Sequence, residues 1–161
     1  MGSVDTNAAP SRAPFLDKSN PAAWKAFNGA ALKVQEAAEA AGVGRDVVEL
    51  VNLRISQINA CAFCLDLHGR RALEAGVTDQ KLHVLAAWRR TDLFTGLERA
   101  ALAVAEAATL LPDEEELAAE VEAARAVLGD ERYTALAWAA VAMNAFNRIS
   151  VLSRHPVRPR G

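Results

Sequence analysis

The sequence predicts an all-α protein, a bundle of about six to seven helices. Three observations carry this expectation. Apolar residues make up 52% of the 161 positions, much of it alanine and leucine, while aromatic side chains, which favour strands, contribute only 6%. From Trp24 to Leu152 the apolar residues recur at helical spacing rather than in strict alternation. Between these runs stand residues that start or stop helices: Asn20-Pro21, Gly76, Thr95, Pro112 and Gly129-Asp130.

Residues 1–20 are rich in Ala, Pro, Ser and Asp without periodicity, and read as a disordered arm. The domain is expected to span residues 21–153, a length that gives one domain with a real core. Pro21 suits a first helical turn, and Trp24, Phe27, Leu32 and Val34 mark a helix ending near Gly42. A second helix runs from about Gly44 to Ile58. A third runs from about Ala60 to Ala75, with Asn59 as its expected N-cap and Gly76 as its stop. Thr78 caps a fourth, carrying Leu82, Leu85 and Trp88 to about Arg90. Thr95 and Glu98 form a capping box for the fifth. Pro112 and the acidic Asp113 to Glu116 suit the start of a sixth, where negative charge meets the positive end of the helix dipole. The last helix, Glu131 to Leu152, is apolar nearly all round, as expected of a central helix or a subunit interface. The tail, 154–161, is basic, holds Pro156 and Pro159, and reads as disordered, with His155 solvated.

Charge and composition narrow the function. The net charge of −2 gives no general attraction to nucleic acid. No apolar run reaches the roughly 18–20 residues of a membrane span, and the N-terminus lacks the basic and apolar regions of a signal peptide. A soluble, cytoplasmic protein in a reducing compartment is expected. There, two cysteines spaced Cys61-x-x-Cys64 point to redox chemistry or metal binding rather than a structural framework.

On a helix advancing about 100° per residue, Cys61, Cys64 and His68 fall within roughly 60° of one another. Cys61 would sit in the first turn, where the helix dipole favours a thiolate. His68 could accept a proton or pair with a thiolate. Haem attachment is excluded, because it requires histidine directly after the second cysteine, where Leu65 stands. Zinc fits poorly, since three ligands on one short helix are awkward for a tetrahedron, even with Glu49 or His83 as a fourth. No metal or other cofactor is expected. Glu49, on the preceding apolar helix, is flanked by Val48, Leu50 and Val51, which is compatible with its partial burial. Asn144, Asn147 and Arg148 read as groups that satisfy buried carbonyls or pair across subunits. Trp24, Trp88 and Trp138 read as core or interface anchors.

Glu49, Cys61 twelve residues on, Cys64 and His68 together resemble the E…C-x-x-C-x-x-x-H signature of the AhpD-like alkylhydroperoxidases, within the carboxymuconolactone decarboxylase superfamily. The run from Ser56 to His68 and the downstream Asn144-Ala-Phe-Asn-Arg148 are similar to the same family, and the resemblance covers roughly Trp24 to Leu152. It implies an AhpD-like helical bundle, a homotrimer or homohexamer, and thiol-dependent reduction of alkyl hydroperoxides. Cys64 would be the peroxidatic thiol, Cys61 the resolving one, and Glu49 with His68 the relay that takes the proton from Cys64. A dithiol reductant, a lipoylated or thioredoxin-like protein, would close the cycle. Some members carry a second histidine just before the second cysteine; here that residue is Phe63, which implies a more apolar pocket suited to bulkier organic hydroperoxides. The competing readings are a thiol redox sensor or scaffold without turnover and a decarboxylase-type lyase. The cysteine pair argues against the lyase, since that branch generally lacks it.

Overall fold

The computed structural model describes residues 13–160. Among them are seven α-helices and no strand: α1 (Leu16–Ser19), α2 (Pro21–Ala40), α3 (Arg45–Ile58), α4 (Ala62–Glu74), α5 (Asp79–Val84), α6 (Gly96–Leu110) and α7 (Glu114–Leu152). The predicted all-α bundle is the observed one.

Most of the punctuation acts as the sequence suggests. Asn20 accepts from the Ala23 N–H with Pro21 in the first turn of α2, Thr78 caps α5, and Thr95 with Glu98 closes a reciprocal capping box on α6. Asp113 accepts from the Glu116 N–H at the start of α7. Gly129, at φ 73°, breaks that helix where its sixth and last predicted segments divide.

Three expectations need correction. The helix predicted from Thr78 to Arg90 is α5 followed by a 3-10 segment, Leu85–Arg90, with Ala87 out of helical geometry. The cause is tertiary. Trp88 is buried with its Nε1–H donating to Glu106 at 2.9 Å, and Arg99 draws the carbonyls of Trp88 and Thr91 to its guanidinium. Second, the two terminal segments are not wholly disordered. Residues 1–12 lie outside the described part, but residues 16–19 form α1, whose Leu16 N–H donates to Ser153 Oγ at 2.9 Å. Third, His155 is half-buried rather than solvated, and bonds Asp17 and Ser150.

α3 and α6 form the centre, because each buries two faces. Val51 and Ile55 of α3 join Ala101, Val104 and Ala105 of α6 and Leu136, Ala140 and Met143 of α7 in one cluster, which also takes in Cys61 and Cys64. On the other side Leu50 and Leu53 meet Leu102, Leu85, Trp88 and Phe94. Alanine at the α6–α7 seam lets the two axes approach closely, since interaxial distance follows side-chain size. Glu106 bridges the clusters by accepting from Trp88, Arg54 and Arg89. Burial works against its ionised form, but these three hydrogen bonds outweigh it and hold the carboxyl below its usual pKa.

Leu136, Ala140 and Met143 of the final helix face the core, and α7 is long and apolar enough to cross a membrane by length and composition, as core helices can be. Its other face leaves Trp138 63% and Leu152 65% exposed, with Val141 and Val151 beside them.

Candidate functional site

The site is built on the turn between α3 and α4. Asn59 does not cap α4, as its residue type suggested; it closes α3. The Cys61 N–H returns to the Ser56 carbonyl at 3.0 Å and the Ala60 N–H to Gln57 at 3.2 Å, a Schellman closure. That closure requires a left-handed residue, and Ala60 takes it at φ 52°, where glycine would be at ease. Asn59 Nδ2 donates to Asn144 Oδ1 at 2.9 Å and Asn147 Oδ1 at 3.0 Å, and Asn147 returns to Ser56 Oγ at 3.1 Å. The polar cluster of α7 therefore clamps the turn that delivers the cysteines.

Cys61 is itself the N-cap of α4, its sulfur accepting from the Cys64 N–H at 3.3 Å. Cys61 and Cys64 are joined as a disulfide and are 2% and 4% exposed. One turn on, His68 is also buried, and its Nδ1 lies 2.6 Å from Glu49 Oε2 of α3. With the carboxylate ionised it can only accept, in which case Nδ1 is the donor and Nε2 faces other partners. Asn52, one turn after Glu49, approaches the same Nδ1 at 3.5 Å.

Cys64, His68, Glu49 and Asn52 lie on the wall of one cavity of about 770 Å³. The rest of the wall is mainly apolar, with Leu67, Met143, Phe146 and Ile149, while Phe63, Asp17 and His155 also border it. Cys61 is not on its lining. Such a chamber is large enough for a small organic molecule. All four predicted site residues thus converge, two by a disulfide and two by a hydrogen bond. Sequence reasoning missed Asn52, Asp17 and His155. Asn52 was legible as the helical neighbour of Glu49; the other two come from the chain's ends, with no local pattern to link them.

The site thus combines a Cys-x-x-Cys pair at the start of one helix with a carboxylate–imidazole pair beside it, on an all-α bundle. The family follows from sequence. Residues 20–107 match the Carboxymuconolactone decarboxylase family, and the chain belongs to that family as an AhpD-like member. It is 35% identical to the uncharacterized protein YdfG of Bacillus subtilis (strain 168) over 109 residues, which are 68% of this chain and 74% of YdfG. It is 41% identical to the uncharacterized protein YnjA of Escherichia coli (strain K12) over 66 residues, 41% of this chain and 36% of YnjA. Among solved structures it resembles ATU0492 of Agrobacterium tumefaciens, a protein of unknown function described as a candidate AhpD antioxidant defence protein. The TM-score is 0.75 at 31% identity, covering 88% of this chain and 96% of that one.

Proposed function

We propose that this protein is a thiol-dependent peroxidase that reduces alkyl hydroperoxides through Cys64 and Cys61. The observation that carries the reading is that Cys64, but not Cys61, shares the cavity with the Glu49–His68 pair. In the reduced protein, His68 Nε2 takes the Cys64 proton, directly or through a water, while Glu49 stabilises the imidazolium. The thiolate attacks one peroxide oxygen, the O–O bond breaks, and the departing alkoxide takes a proton to leave as the alcohol. Cys64 becomes a sulfenic acid; the Cys61 thiol attacks it, releasing water and forming the disulfide. A dithiol reductant, lipoylated or thioredoxin-like, returns both thiols. The apolar wall, with Phe63 at its border, suits organic hydroperoxides better than hydrogen peroxide.

The test is peroxide consumption with excess small dithiol. Many equivalents of cumene or tert-butyl hydroperoxide should be consumed per chain. Oxidation that stops after one equivalent would instead identify a redox sensor.

We also propose that the exposed face of α7, with Trp138, Val141 and Leu152, is covered in a homotrimer or homohexamer, since large apolar side chains exposed along one helix are costly in water. Light scattering at micromolar concentration should return a multiple of 17.2 kDa. A monomer mass alone would remove this proposal.

A further inference from the structure

The first and last described segments of the chain meet beside the dithiol cavity. His155, in the tail, is held through both ring nitrogens: Nε2 is 3.0 Å from Asp17 Oδ1 in α1, and Nδ1 is 3.3 Å from Ser150 Oγ in α7. Its ring stands between two others. Phe15 meets it edge-on at 4.9 Å, and Phe63, the residue before Cys64, lies at 5.3 Å. The Leu16 N–H to Ser153 Oγ bond ties the same two segments a second time. Farther along the tail, Arg160 reaches Asp66 of α4. Asp17, Ser150, His155 and Phe63 all border the cavity that contains Cys64.

Neither nitrogen of His155 is free to act on a substrate, so the residue is not a second acid or base for the reaction. Its bonds do something else. They fasten α1 and the tail to the residue adjoining Cys64, across a cavity whose interior is otherwise set by packed helices. We propose that Asp17 and His155 are a specificity-determining pair: their bond holds the chain's ends as a strap that admits small molecules to Cys64 and excludes bulky ones. The proposal deepens the peroxidase reading, because it specifies that free organic hydroperoxides reach the thiol and hydroperoxides carried on large molecules do not. Its physical basis does not depend on turnover. Segments near chain ends open locally at low free energy, so one part-buried hydrogen bond and the ring contacts beside it decide how often the rim opens.

The experiment measures access to Cys64 without using catalysis. In a Cys61→Ser background Cys64 is the sole thiol, and its reaction with N-ethylmaleimide is compared with that of a maleimide carrying a polyethylene glycol chain. Asp17→Ala and His155→Ala should each accelerate the bulky reagent about tenfold while changing the small one by less than about twofold. The double variant should be no faster than either single one, because one bond is removed once. Equal acceleration of both reagents would mean general loosening and would overturn the proposal, as would unchanged rates or additive effects. Should His155→Ala lose helical content by circular dichroism, Asp17→Leu, which keeps about the size but offers His155 no oxygen, decides by the same ratio. If the ratio shifts while the parent shows no peroxide turnover, the strap stands and the peroxidase reading falls; the reverse result separates them the other way.

Discussion

Cys64→Ser leaves no sulfenic acid after one equivalent of organic hydroperoxide, whereas Cys61→Ser accumulates it on Cys64; this is the largest effect expected of any substitution in the protein. Two influences oppose each other. Cys61 sits at the N-cap of α4, where the helix dipole and the Cys64 N–H, 3.3 Å from its sulfur, favour a thiolate. Cys64 has the base: His68 lies one turn beyond it on the same face, and both border the cavity. Stabilisation by the dipole and a single N–H is modest, about 0.3–2 kcal/mol. A positioned base contributes roughly 10²–10⁴-fold, and access decides which sulfur meets the peroxide first. In the proposed mechanism Cys64 reacts and Cys61 resolves. Without Cys61 the sulfenic acid has no partner, and it persists or proceeds to the sulfinic acid. Mass spectrometry after trapping with a dimedone probe reads the modified residue. Sulfenic acid on Cys61 in the Cys64→Ser protein would reverse the two roles.

Glu49→Gln slows peroxide reduction by about 10²–10⁴-fold and leaves the fold intact. The amide has the same shape, and its oxygen can still accept from His68 Nδ1, so the 2.6 Å contact survives as a neutral hydrogen bond. What is lost is the negative charge that stabilises the imidazolium formed when His68 takes the proton. In a site as buried as this one, with Glu49 and His68 5% and 8% exposed, little water replaces that charge. Stopped-flow oxidation of the reduced protein isolates the step from the reductant, and near-parental thermal stability would show that the loss is chemical. Unchanged oxidation rates from pH 6 to 9 would remove Glu49 from the proton path.

The local chemistry of the chain was readable in one dimension because its signals are local. Helical periodicity, the Thr95–Glu98 capping box and the break at Gly129 each depend on residues within a few positions of one another, and the structure has them where the pattern puts them. The spacing of Cys61, Cys64 and His68 on one helix is of the same kind. Glu49 was legible through its family spacing, and α3 packed on α4 supplies the contact with His68.

The errors have the opposite character. Asn59 is an N-cap residue type, yet it closes α3 and donates to Asn144 and Asn147 of α7, the latter in turn bonded to Ser56, leaving Cys61 to cap its own helix. A propensity worth about 1 kcal/mol was overridden by a buried hydrogen-bond network made with residues some 90 positions away. Trp88 likewise tightened an expected α-helix into a 3-10 turn to reach Glu106. His155 and Asp17, 138 residues apart, are polar residues in segments with no periodicity, and nothing near either one signals the other. The amino-acid order alone gave most of the helices and placed Cys61, Cys64 and His68 on one face, since both are written in short-range spacing. Which sulfur faces the cavity, and which distant residues border it beside Phe63, was decided only when distant segments packed together.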